Sequence, residues 1–155
     1  MMLFALPILM LQAAAPPPVE APKEERCFVK EKQGAYTIHT YIGDRACEAF
    51  DPPREIAGIW VNQFEGSSFH EGVTSLAGLE GRSHRVWLSM DKDSVLPPDF
   101  KPQRSHVYRL RFVGRTATDM NRKPLEGYGH FGVSPGMVLI DRLVAWEDLG
   151  PAAAH

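Results

Sequence analysis

The sequence predicts an all-β fold, a small antiparallel five-stranded barrel of the oligonucleotide/oligosaccharide-binding (OB-like) kind. Three observations carry this. Five segments alternate with the period of a strand, no segment supports a long amphipathic helix, and thirteen Gly and thirteen Pro in 155 residues favour turns. A β-sandwich is the alternative, but that architecture usually takes about seven strands.

The five segments follow in chain order. "AYTIHTYI" (35–42) sets Tyr36, Ile38, Thr40 and Ile42 on one side. "GIWVNQFE" (58–65) alternates Trp60, Asn62 and Phe64 with Ile59, Val61 and Gln63. "RVWLSM" (85–90) is short and rich in strand formers. "HVYRLRFVGRT" (106–116) is the clearest, with Tyr108, Leu110 and Phe112 pointing one way and Arg109 and Arg111 the other. "MVLIDRLVAW" (137–146) is apolar on both faces for part of its length, as a central or barrel-closing strand is. Between the third and fourth, the prolines of "DKDSVLPPDFKPQRS" exclude a long helix and leave room for one helical turn near Asp93 to Leu96.

The N-terminus sets the compartment. Leu3 to Leu11 is apolar apart from Pro7 and leads into Ala13-Ala14-Ala15, the form of a secretory signal peptide, assigned to residues 1–14. The run is too short for a bilayer span, which takes about 20 apolar residues. Residues 15–26 are proline-rich, then charged, and read as a flexible segment. One barrel domain is expected over 27–150 and a disordered tail over 151–155. The expected location is the periplasm or the exterior, with no stable membrane insertion once the signal is removed.

Export gives the two cysteines a meaning. An even count in an oxidising compartment points to a Cys27–Cys47 disulfide, worth about 3 kcal/mol through the loop it closes. A metal pair or two buried thiols are the competing readings, and only His39 lies between the cysteines as a further ligand. The net charge is −2, which speaks against a nucleic-acid partner, since that would require a strongly basic domain. No dinucleotide or phosphate-cradling glycine loop is present, so no cofactor is expected.

Two stretches hold the candidate chemistry. "GIWVNQFEGSSFHEG" (58–72) offers Glu65 as a base or ligand, with Ser67, Ser68 and His70 beside it. Its serines lack the G-x-S-x-G elbow of a nucleophile, and the plainer reading is a strand whose Trp60 and Phe64 fill the core, ending in a polar turn. "GRTATDMNRKPLEGYGHFG" (114–132) offers three readings. His130 acts as a general base with Arg115 holding an anion; or Arg115, Tyr128, His130 and Arg142 line a pocket at the barrel mouth; or Arg115 pairs with Asp141 and the rest satisfies backbone. The six histidines show no H-x-x-x-H or H-x-H spacing. Zinc on His70, Glu71, His84 and His130 would need the fold to gather them, and no metal site is assigned.

These same motifs carry a family likeness. W-x-x-x-F-E-x-S-x-F at 60–69, Gly114-Arg115-Thr116 at the end of the fourth predicted strand (G-R-x-T in the family), Tyr128-Gly129-His130-x-Gly and Ile140-Asp141-Arg142 resemble a group of small exported bacterial proteins of unknown function. The likeness covers residues 58–69 and 108–143; "ATDMNRKPLEG" is longer than the family's connection, and Ile140 stands where the family has Val. It implies export and a small β-fold and names no chemistry. The sequence therefore supports a non-enzymatic module binding a small ligand or an envelope protein, with Glu65, Arg115, Tyr128, His130 and Arg142 as candidate binding residues. The Arg109/Arg111 face beside Arg115 makes an anion a reasonable ligand feature. The alternative is a small periplasmic hydrolase or metal-dependent enzyme using His130 and Glu65.

Overall fold

The computed structural model describes residues 27–41, 43–63, 66–81 and 85–152. Among them lie strands β1 (Phe28–Gln33), β2 (Tyr36–Tyr41), β3 (Arg54–Asn62), β4 (Ser68–Glu71), β5 (Trp87–Ser89), β6 (His106–Thr116) and β7 (Met137–Pro151), with a one-turn helix α1 (Asp44–Cys47). The fold is all-β. Five strands form the main sheet in the order β4-β3-β6-β7-β5, and a bridge between Phe69 and Val86 brings its two edges together into a nearly closed barrel.

Two expectations are corrected. The barrel is mixed rather than purely antiparallel, because β5 runs parallel to β7 with Trp87 opposite Met137. And Tyr36–Tyr41 is not a barrel strand: it pairs with β1 as a separate two-stranded ribbon, while the short β4 takes the fifth place in the barrel. The domain expected over 27–150 is thus a barrel plus a ribbon. At the other end β7 runs through Pro151, and the Ala152 N–H donates to the Ser105 carbonyl at 2.7 Å, so the chain is still tied down where a tail was expected. Residues 1–26, Phe64, Glu65, His84 and 153–155 lie outside the described residues, and with them the signal-peptide and flexible-segment assignments.

The barrel interior follows from alternation. On β6, Tyr108, Leu110 and Phe112 are buried while Arg109 and Arg111 face out, so the period-2 pattern sets the strand's orientation directly. On β3, Ile56 and Trp60 point inward with Gly58 between them. A Cβ on Gly58 would collide with the Phe69 ring and the His70 carbonyl, so the glycine makes the room that Phe69 fills. Trp60 lies on Tyr108 with ring centroids 5.5 Å apart, and Phe69 on Phe112 at 5.4 Å. Offset aromatic pairs of this kind contribute about 0.5–1.5 kcal/mol beyond the area they bury. β7 bends around the core through register shifts against β6 at Arg111/Phe112 and Val113/Gly114, which lets one long strand close a small barrel.

The connections seal the ends. Near Asp93 the chain makes one tight turn, the Ser94 N–H donating to the Asp91 carbonyl at 3.1 Å, and no helix follows. Pro97 and Pro98 hold the backbone extended before them, and Val95 bridges to Arg142 instead, its N–H donating to the Asp141 carbonyl at 2.8 Å. Phe100 then plugs the barrel against Trp146. A smaller cluster of Ile59, Val73 and Val107 covers the outer face of β3 beneath the turn at Leu76–Leu79. Cys27 and Cys47 are both buried, and both are thiols in this structure.

Candidate functional site

Most arginines of this chain are held by carboxylates. Arg54 forks onto Glu71 with contacts of 2.6 and 2.9 Å, Arg109 pairs with Glu147, and Arg111 reaches Glu55 at 3.4 Å. The Arg109/Arg111 face, expected from the sequence as an anion-binding feature, is therefore already neutralised across neighbouring strands. Arg115 donates through Nε to Asp141 Oδ2 at 2.9 Å, which is the pairing the plainest reading of the sequence anticipates.

Asp141 is the hub of a larger network. Arg45 of α1 also pairs with Asp141 and reaches Asp91 Oδ2 at 3.2 Å; Ser94 donates to the Ile140 carbonyl at 2.6 Å, and Ser89 donates to Asp44. These contacts pin α1 to the β5–β7 end of the barrel. Burial alone would push the Asp141 carboxyl up, but hydrogen bonds from Arg45 and Arg115, with their charges, outweigh it and hold it below the usual carboxylate range.

The loop between β6 and β7 has a second anchor. Tyr128 is buried and donates its hydroxyl to the Asp119 carbonyl at 2.8 Å, with the Arg122 guanidinium 4.1 Å above the ring centroid. Arg122 bonds Glu48 at 2.7 Å, so the loop and the segment after α1 hold each other. Burial pushes the Tyr128 phenol up to about 12. His130 is exposed on the short turn His130–Gly132, its ring centroid 4.0 Å from that of Phe131. Arg142 is exposed on β7. Of the five candidate residues, Glu65 lies outside the described residues and the other four have different surroundings: Arg115 faces Asp141, Tyr128 faces Arg122, and His130 and Arg142 are exposed.

A concave site does lie where the end of the first motif stretch meets the entry to β5 and the residues just after the second stretch. A cavity of about 80 Å³ is lined by Gly66, Ser67 and Ser68, by Arg85, Val86 and Trp87, and by Val133 and Ser134. It exists because the barrel closes there through one bridge, Phe69 to Val86, so β4 and the entry to β5 part on either side of it. Water occupies about 30 Å³ in the liquid, so the space suits one group the size of a carboxylate or tetrahedral oxyanion. Gly129 fixes the far wall: its φ is +71°, and a Cβ there would fall into the Trp87 ring.

The groove is lined with oriented polar atoms. The Trp60 indole N–H donates to Ser67 Oγ at 2.8 Å, which leaves the Ser67 hydroxyl proton available to an acceptor in the groove. Ser134 donates to the Gly136 carbonyl at 3.0 Å. Arg85 is exposed at the rim and, among the described residues, makes no ion pair. Ser68 Oγ lies 3.4 Å from His70 Nε2, longer than the contact by which a base holds a serine nucleophile. Among the described residues no group of three or more His, Cys, Asp and Glu is placed to hold a metal, and Glu71 is engaged by Arg54.

Of the groove's lining, sequence reasoning reached only the 66–68 segment and missed Arg85, Trp87, Val133 and Ser134. Arg85 opens a strand and Trp87 reads as core, so neither stands out; the one legible signal was the Gly66-Ser67-Ser68 turn directly after Trp60 and its strand. Comparison with family models, curated proteins and solved structures finds no match to this chain.

Proposed function

We propose that this protein is an exported, non-enzymatic binding module whose groove between β4 and β5 takes the anionic group of a small ligand or envelope component. The observation that carries the reading is Arg85. In a chain that supplies carboxylates to Arg45, Arg54, Arg109, Arg111, Arg115 and Arg122, it stands at the mouth of a serine-lined cavity and, among the described residues, has no carboxylate partner. A guanidinium with adjacent hydroxyl donors is the usual protein answer to a carboxylate, sulfate or phosphate, and the Trp87 ring adds an apolar wall for the rest of the ligand.

The test is a titration followed by amide and indole NMR signals, with acetate, sulfate and inorganic phosphate as probes. Shifts confined to Ser67, Ser68, Trp87 and Ser134, abolished in Arg85→Ala, are expected. Shifts that persist in Arg85→Ala, or none at tens of millimolar, a range about two decades weaker than a specific site, overturn the assignment.

The compartment reading adds a second proposal. Cys27 directly precedes β1, Cys47 closes the one-turn helix that follows β2, and both thiols are buried. In an oxidising compartment the two thiols lose their protons and two electrons to that compartment's disulfide oxidants and bridge. Protein recovered from the exterior is expected to show no thiol after denaturation without reductant; two reactive thiols there would rule the bridge out.

A further inference from the structure

We propose that the β1–β2 ribbon is a dimerisation arm, and that its partner is the β2 edge of a second copy of this chain. The inference is independent of the groove. Every described side chain of the ribbon's strands is exposed, Tyr36 at 79% and Ile38 at 40% among them. An isolated two-stranded hairpin is marginal in water, and three or more strands are needed for independent stability. The barrel offers the arm no place, because its own edges meet through Phe69 and Val86.

The two edges of the ribbon differ. β1 reads Phe28-Val29-Lys30-Glu31-Lys32-Gln33, and charged side chains of this kind are how proteins guard an open edge. β2 reads Tyr36-Thr37-Ile38-His39-Thr40-Tyr41, with no Lys, Arg, Asp, Glu, Pro or Gly, and is rich in β-branched and aromatic residues. Among the described residues its outer edge is unpaired. This strand is unguarded.

Symmetry selects a second copy as the occupant. A two-fold axis normal to the ribbon pairs identical strands antiparallel, and each residue on the axis meets itself. Centred on Lys30 or Glu31, β1 would set like charges face to face. Centred on Ile38, β2 sets Ile38 against the second copy's Ile38, Thr37 against position 39 and Tyr36 against position 40, with no like-charged pair. The β1–β2 register puts Val29 and Ile38 on the same face as Tyr36. The four-stranded sheet β1-β2-β2-β1 therefore joins two half-formed apolar faces into one, with charged β1 strands as its new outer edges.

Sedimentation of the purified protein over about 1 to 100 µM reads the association directly. A concentration-dependent dimer is expected, weakened at least about tenfold by Ile38→Lys, which places like charges on the axis, and unchanged by Lys32→Glu on the guarded edge. An Ile38→Cys variant is expected to cross-link to its own copy under mild oxidation, since Cys27 and Cys47 are buried. A monomer throughout, or a dimer indifferent to Ile38→Lys with no cross-link through position 38, overturns the proposal. So does a monomer that dimerises only when residues 1–26 are deleted, which would assign the edge to the chain's own N-terminal segment.

Discussion

Arg115 and Arg85 are both partly exposed guanidiniums at strand ends, and their surroundings could hardly differ more. Arg115 ends β6 against Asp141, a carboxylate it shares with Arg45 and that ties α1, β6 and β7 together. Arg85 enters β5 beside three serines, two of them on β4 and its approach and one in the β6–β7 loop, and among the described residues has no carboxylate. A cation that the fold needs comes with a counter-ion from the same chain, because leaving it unpaired as it loses water costs stability. A cation left without one contributes little to folding and is open to an external anion. The presence or absence of an internal partner among the described residues, more than the sequence around the arginine, separates the structural arginine from the one proposed to face a ligand.

The comparison breaks most visibly at its paired end. Asp141→Ala leaves Arg45 and Arg115 without their shared acceptor, and with the carboxylate side chain 18% exposed the expected loss is about 2–3 kcal/mol, below the 3–5 of a fully buried pair. Urea denaturation measures it. The sign of the pH dependence follows from a folded-state pKa below the unfolded one: the stabilisation is in place above about pH 4 and is lost as pH falls through the folded value. Asp148, held low by the Gly150 N–H and by His106, titrates in the same range, so the informative curve is wild type minus Asp141→Ala. If the two proteins lose stability in parallel on acidification, Asp141 is not the hub.

A smaller effect is expected at the loop that links the two ends. Tyr128→Phe removes the hydrogen bond to the Asp119 carbonyl, for about 1 kcal/mol. Because the folded phenol sits near 12 against an ordinary 10, its stabilisation is present below about pH 10 and disappears as pH rises through 12. The same loop delivers Val133 and Ser134 to the groove, so NMR shifts at Ser134 without shifts at Ser67 would show that the groove walls are set independently. Equal stability of Tyr128→Phe and wild type would remove the loop's anchor from the account.

What the sequence made legible follows the range of the interactions involved. β6 is legible at its true bounds because a single alternating strand decides its own inner face, and the Arg115–Asp141 pair is legible because the two residues lie on consecutive long strands. β1 escaped notice: Lys30, Glu31 and Lys32 leave no apolar face to detect, and the ribbon is not part of the core. β4 escaped because four residues, Ser68–Glu71, are too short to show a period and read as the turn after the preceding strand. The parallel β5–β7 pairing and the groove depend on segments some 50 to 70 residues apart coming together, and no local pattern encodes that. The candidate groove shares only its 66–68 wall with the stretches that the sequence singles out, because Arg115 and His130 look chemical while Arg85 looks ordinary.

The smallest predicted effect is the sharpest discriminator. Arg85→Ala should change stability by less than about 0.5 kcal/mol, since among the described residues the guanidinium makes no ion pair and lies at an exposed rim. Arg115→Ala, a substitution of the same kind at a paired site, should cost about 1 kcal/mol or more, moderated by its 37% exposure. The anion titration should give the reverse order, with binding lost in Arg85→Ala and kept in Arg115→Ala. Both arginines have the same side chain and formal charge, so size and charge cancel from the comparison, and among the described residues Arg115 has a carboxylate where Arg85 has none. Were Arg85→Ala the more destabilising of the two, Arg85 would belong to the scaffold, and the groove would have to be explained without a charged ligand.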